Sequence, residues 1–361
     1  MNVDEVDEVQ LTVAWGGAPA SALGLAIEAW EEAVGEVTDG KVTFEDYPAG
    51  ALFPPTEALS ATGSGLVDFS ELLPVYNPVE LPTSEWLDSI VSSAVSAEWP
   101  LNFFEGSVAI ASADSSTQVH ADMDAAGVHL LKTMWVPGFS LLCVPEVTDL
   151  ASAQGLRVQA GGVLIAEELE ALGMTPVQTP ILEVYEALQR GALDCVPLSL
   201  PAFASLGLVE VAKNVTTLPL TGTARGLMVN KDRWDGLPQA TRDALTSTAD
   251  VFVEAYLAGV IDETAAITAP GGAFDEAGVV IHEAPELVEV LQADQERRLA
   301  EAADSAEGVE DAQELLADLQ SAVAEFAGSV DADSFPAGLD VTSEQLAETI
   351  QNVVSRSEFV Q

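Results

Sequence analysis

Residues 149–213 constrain the fold more than any other stretch of the chain. They run DLASAQGLRVQAGG, then ALGMTPVQTPILEVYEALQRGALDCVPLS, then GLVEVAKNVT. A Gly-led strand over 155–159 precedes a helix that ends at Leu172-Gly173. A short Pro-flanked strand at 175–177 follows, then a helix over about 180–190 stopped by Gly191, then a strand at 193–196. Strands alternating with helices of this length predict a parallel βαβαβ unit.

The same alternation opens the chain. Residues 9–15 alternate as a strand and exit through Gly16-Gly17. Leu23, Ile27, Trp30 and Val34 then recur on one helical face. Strands are expected at 41–47 and 66–69, with a short helix at 57–63 between them. Two further strands, 127–134 and 139–144, flank Trp135-Val136-Pro137-Gly138, where the chain is expected to cross between domains. Residues 221–231 read as the returning strand, and 250–265 and 287–303 as helices. The remainder reads as helical with acidic linkers at 304–311 and 331–335.

A length of 361 residues suits two domains better than one core. The expected division is 9–128 plus 222–255 for the first domain and 129–221 plus 256–300 for the second. Residues 301–361 form a C-terminal helical extension.

Charge excludes several functions. There are 59 Asp and Glu against 12 Lys and Arg, a net charge of −47. Such a field repels nucleic acid and anionic lipid. The acids are spread along the chain, as a solvated, salt-adapted surface requires. No run of 18 apolar residues suggests a membrane span. The first ten residues, MNVDEVDEVQ, lack the apolar core of a signal peptide.

Enzyme signatures for a nucleophile elbow, a zinc helix or a phosphate loop are missing. His120, His129 and His282 are the only histidines. His129 falls in a predicted strand and reads as a packed residue rather than a base. Cys143 and Cys195, without a CxxC pattern, suggest no metal; two buried thiols are expected, with a disulfide as the alternative. No cofactor is expected.

Residues 149–213, with Gly65-Leu66-Val67-Asp68 upstream and Leu227-Met228-Val229-Asn230-Lys231-Asp232-Arg233-Trp234 downstream, closely resemble the solute-binding proteins of TRAP-type (tripartite ATP-independent periplasmic) transporters, the C4-dicarboxylate-binding family. The resemblance covers about residues 9–300. It implies an α/β, two-domain periplasmic-binding-protein-like fold. Open, mainly parallel sheets would flank a hinge cleft, with a long interdomain helix, for which 287–303 is the candidate, and extra C-terminal helices. It further implies capture of a small organic solute, by family default an organic acid, and its delivery to membrane permease subunits. The location would be extracytoplasmic, periplasmic or lipid-anchored on the outer face of the cytoplasmic membrane, with a leader already removed.

The resemblance also marks departures. The family motif Gly-Leu-x-[IV]-Arg ends in an arginine that clamps a ligand carboxylate. Here it reads Gly155-Leu156-Arg157-Val158-Gln159. Arg157 lies two residues earlier and is a second candidate for that role. A family asparagine slot holds Leu198, next to Ser199, and an aromatic slot holds Ile181. Arg225, before the returning strand's apolar run, is the best substitute anchor for an acid. Trp15, Tyr76, Trp135 and Phe203, at expected strand ends or loops, are candidate flat faces for a solute. An alternative solute is therefore neutral or apolar-bodied. An alternative of another class is an acidic surface interaction protein using the C-terminal helices.

Overall fold

The computed structural model describes residues 3–357 except 137, 307, 332 and 333. Pro137 of the expected crossing, Glu307, Ala332 and Asp333 of the acidic linkers, and 358–361 of the extension lie outside the described residues, as do Met1 and Asn2.

Strands β1 (Val9–Ala14), β2 (Val42–Tyr47), β3 (Phe69–Leu72), β4 (Val128–Val136) and β10 (Thr223–Asn230) form one sheet, ordered β2-β1-β3-β10-β4. The β1 pairings with β2 and β3 are parallel; β10 returns antiparallel between β3 and β4. Strands β5 (Ser140–Cys143), β6 (Arg157–Ala160), β7 (Thr175–Gln178), β8 (Cys195–Leu198), β9 (Asn214–Thr217) and β11 (Val280–Glu283) form the other, ordered β11-β9-β5-β8-β6-β7. The expected βαβαβ unit is present: β6 pairs in parallel with β7 and β8.

Local sequence explains the first helix. Ser21 caps Ala22–Val37 by accepting the Gly24 N–H, and Leu23, Ile27, Trp30 and Val34 form its buried face. A Cβ on Gly24 would lie 2.3 Å from the Pro19 carbonyl oxygen, so the cap geometry excludes any larger residue. Trp30 then packs against Phe44 and Phe69, joining helix to sheet.

Three expectations are corrected. First, β4 lies in the first sheet, so residues 129–136 pair with β10 and not with strands of the second sheet. Second, the longest helix among the described residues is Ala249–Thr268, not the 287–303 candidate. It packs along Ala22–Val37 of the first half and against Leu200–Ser205 of the second, and it runs unbroken through the expected 255/256 boundary. Its helical stretch is also long and apolar enough to cross a membrane by length and composition, but more than half of that window is buried, as suits a core helix. Helix Pro285–Glu301 bridges the halves too, packing on Pro82–Ala94 and Val163–Ala171. Third, Cys143 and Cys195 are a disulfide, not two thiols. They face each other across the antiparallel β5–β8 register, where cross-strand partners come closest.

The returning crossover is pinned from both sides. The Thr221 N–H and hydroxyl donate to buried Glu168, at 2.9 and 3.1 Å, and Arg298 pairs with that carboxylate at 2.7 Å. Two residues on, the Thr223 hydroxyl and the Ala224 N–H each donate to Asp88 at 2.8 Å. Burial pushes the Asp88 carboxyl up to about 7, against the opposing pull of these two bonds. The C-terminal extension adds helices Ala312–Ala327 and Ala347–Ser357, which cover Leu101–Ala113. His129 stacks on Trp234 at 4.6 Å, and burial lowers its pKa to about 4, as a packed histidine requires.

Candidate functional site

The carboxyl ends of the parallel strands of both sheets face the crossovers, where an open α/β sheet offers a ligand site. The glycine pair after β6 brings the halves together. A Cβ on Gly162 would lie 3.3 Å from Val75 Cγ2, so the second-half loop rests on the turn Pro74–Tyr76 of the first.

In the second half, Gln159 is buried, 6% exposed, and its side-chain amide donates to the Thr179 carbonyl at 3.2 Å. Arg157 does not join it. Its guanidinium holds Asp194 through two bonds, Nε to Oδ2 at 2.9 Å and Nη2 to Oδ1 at 2.8 Å, on the exposed side of the strand. Leu198 ends β8 opposite Ser140. Ser199 starts helix Leu200–Ser205. Ile181 opens a 3-10 turn and packs against the second-half core.

In the first half, Trp15 and Gly16 leave β1, and the Gly16 N–H donates to Glu71 Oε1 at 2.6 Å. Arg225 on β10 places Nε 3.7 Å from Glu71 Oε2 and its guanidinium 5.9 Å from the ring centre of Tyr256. Tyr76 stands at the rim, 37% exposed. Burial pushes its hydroxyl pKa up; Glu71 adds to the shift and Arg225 opposes it.

Two aromatic candidates are corrected. Trp135 is wedged between Gly106 and Gly222, where added Cβ atoms would meet its ring at 2.4 and 2.8 Å. Phe203 is fully buried in the second-half core. Both side chains are buried among packed neighbours and present no open face. Sequence reasoning missed Glu71 and Tyr256. Glu71 had a signal, an acid inside the apolar run Phe69-Ser70-Glu71-Leu72-Leu73; Tyr256, on a helix distant in sequence, had none.

A cavity of about 440 Å³ lies beside the crossovers. Trp99 and Asn102 line it from the first half, Gly138 and Pro219 from the crossovers, Ser199 from the second half and Thr264 from the long helix. Ser199 is the only sequence-predicted site residue among its lining. No group of three or more His, Cys, Asp or Glu side chains among the described residues could hold a metal ion.

Two sheets joined by strand crossovers give the two-half architecture that hinged binding proteins share. The chain matches the family described as Bacterial extracellular solute-binding protein, family 7, over residues 14–302, and belongs to it. It is a TRAP-type solute-binding protein. It is 26% identical over 232 residues, 63% of this chain and 67% of the relative, to the C4-dicarboxylate-binding periplasmic protein DctP of Rhodobacter capsulatus. Matches to the curated relatives span about 60% to 67% of those proteins' lengths. A TRAP periplasmic solute-binding protein from Bordetella bronchiseptica, solved with (R)- and (S)-mandelate, superposes with a TM-score of 0.72 at 22% identity. It covers 88% of this chain and 99% of its own. A marine metagenome TRAP solute-binding protein specific for pyroglutamate gives 0.73 at 20% identity, over 87% of this chain and 99% of its own.

Proposed function

We propose that this chain is the extracytoplasmic solute-binding component of a TRAP transporter, taking a small organic solute that carries at most one carboxylate. The two sheets are read as the two domains that close on the solute, and permease subunits in the membrane as the recipients. Closure is favoured because the solute touches both domains only in the closed state.

The observation that carries the reading is the pair of positions 157 and 159. The slot that holds the family's clamping arginine is filled by the neutral amide of Gln159, and Arg157 is committed to Asp194. Arg225, the cation beside the β1 and β3 ends, has its charge already offset by Glu71. Burying a dicarboxylate here would desolvate two negative charges in a protein of net charge −47 with one half-compensated cation. A monoacid anchored by Arg225, or a neutral solute, avoids that cost. The acidic surface is read as salt adaptation.

Calorimetry decides it. Succinate and malate should bind weakly, while at least one of a panel of monoacids and neutral polyols should bind in the micromolar range. Micromolar binding of succinate or malate at physiological salt would sink the reading.

A further inference from the structure

We infer that the cavity of about 440 Å³ beside the crossovers is a second ligand site, separate from the proposed solute site, and that it takes a small organic amine with an apolar body and one ammonium group.

Its position separates it from the proposed solute contacts. Gln159, Ile181, Arg225, Trp15 and Tyr76 are all absent from its lining, and Ser199 is the one residue common to both. The cavity is also built partly by residues beyond the family match. That match ends at residue 302, and Leu339 of the C-terminal extension lines the cavity. The loop carrying Leu339 is fastened at two points. The Gly338 N–H donates to the Trp99 carbonyl at 3.2 Å, and the Thr268 hydroxyl, at the end of the long helix, donates to the Leu339 carbonyl at 3.2 Å.

The lining selects the chemistry. Leu200, Pro201, Leu218, Pro219, Val288 and Leu339 give it an apolar wall, and its volume falls in the range of small-molecule sites, about 300–1,000 Å³. Trp99 adds a flat face, its ring stacked on Phe103 at 5.6 Å and 14°. Glu283, at the end of β11, and Glu289, on helix Pro285–Glu301, are the charged side chains of the lining; Lys, Arg and His are absent from it. Both glutamates are exposed, so they hold their charge without a burial cost. An organic acid would meet two like charges there, and an ammonium group two opposite ones. Trp99 favours the same choice, because an aromatic face attracts a cation. Asn102, also in the lining, has a buried Oδ1 with no hydrogen-bond partner among the described residues, an acceptor that an N–H would satisfy.

Three probes that share parts test the site by calorimetry on the wild-type protein: 2-phenylethylamine, 2-phenylethanol and methylamine. The phenyl amine should saturate one site and bind about fivefold tighter than the alcohol, the worth of an exposed ion pair. Methylamine, with charge and no body, should show no saturable binding, which distinguishes a site from general attraction of cations to an acidic surface. In Glu283→Gln/Glu289→Gln, two exposed positions, the amine should fall to within about twofold of the alcohol. In Ala97→Trp, at an exposed position of the lining, amine and alcohol should weaken together by about fivefold or more, as a ring takes up apolar space. Gln159→Arg should leave amine binding unchanged. No saturable binding of the phenyl amine, methylamine binding as tightly, an amine preference that survives the double variant, or unchanged affinities in Ala97→Trp overturns the site. Loss of amine binding in Gln159→Arg places the amine at the proposed solute site and overturns a separate one. These outcomes are read with amines and an alcohol, so they are distinct from the acid titrations that decide the proposed function.

Discussion

Arg157 and Asp194 lock together side by side on neighbouring parallel strands. Two side-chain bonds of 2.9 and 2.8 Å join them, and the Arg157 backbone N–H adds a third at 2.8 Å. The pair holds Asp194 below its ordinary carboxylate range, chiefly through the Arg157 side-chain bonds. A guanidinium so engaged presents no free fork to a ligand.

Exchange at these two positions should therefore have opposite outcomes. Arg157→Ala should leave solute affinity unchanged. Gln159→Arg should raise affinity for carboxylates by about tenfold or more, because a buried forked cation then faces the acid. Calorimetry on both variants with one monoacid and succinate checks this. Loss of binding in Arg157→Ala would return that residue to the site, and no gain in Gln159→Arg would show that the slot does not face the solute.

Removing the disulfide should destabilise the second half. Cys143 and Cys195 close a loop across a sequence separation of 52. Chain entropy alone sets the loss at about 4 kcal/mol as an upper figure. The double variant Cys143→Ala/Cys195→Ala should show a lower urea midpoint by an amount equivalent to about 2–4 kcal/mol. A midpoint equal to that of the parent would mean the bond contributes nothing in solution.

Asp88 predicts a pH dependence at the crossover. Its folded pKa, about 7, lies above the ordinary value of 3.8, so the folded state binds the proton more tightly than the unfolded state does. The associated stability is fully present below about pH 4 and is lost as pH rises through 7. Asp88→Asn keeps an acceptor for the Ala224 N–H and cannot ionise. Its melting temperature should fall less than the parent's between pH 5 and 8 at constant molar salt. Parallel profiles would assign the pH dependence to other groups.

Salt should raise the melting temperature. A net charge of −47 repels itself, and ions shorten the range of that repulsion from about 10 Å at 0.1 M to about 3 Å at 1 M. Thermal unfolding in 0.1 M and 2 M NaCl, with sulfate excluded to avoid its separate effect on hydrophobic burial, checks this. An unchanged value removes salt adaptation as the reason for the acidic surface.

Much of the fold was legible because it is written locally. Glycines at strand exits, the period of Leu23, Ile27, Trp30 and Val34, and the β6-helix-β7-helix-β8 alternation each depend on neighbours within a few residues. The placing of Gln159 in the slot of a clamping arginine, part of the proposed function, likewise rests on a motif confined to one strand. What sequence could not reach depends on partners far along the chain. Cys143 and Cys195 become bonded only when an antiparallel register sets them face to face. Trp135 turns into the core because Gly106 and Gly222 leave room for its ring. Glu71 gains its place only when the β1 exit, β10 and the helix carrying Tyr256 meet around it, bringing together residues 16, 71, 225 and 256. The sequence by itself thus determined the alternating strand and helix architecture. Tertiary packing alone decided which polar atoms are buried without partners, because burial belongs to the assembled layers and not to any one segment.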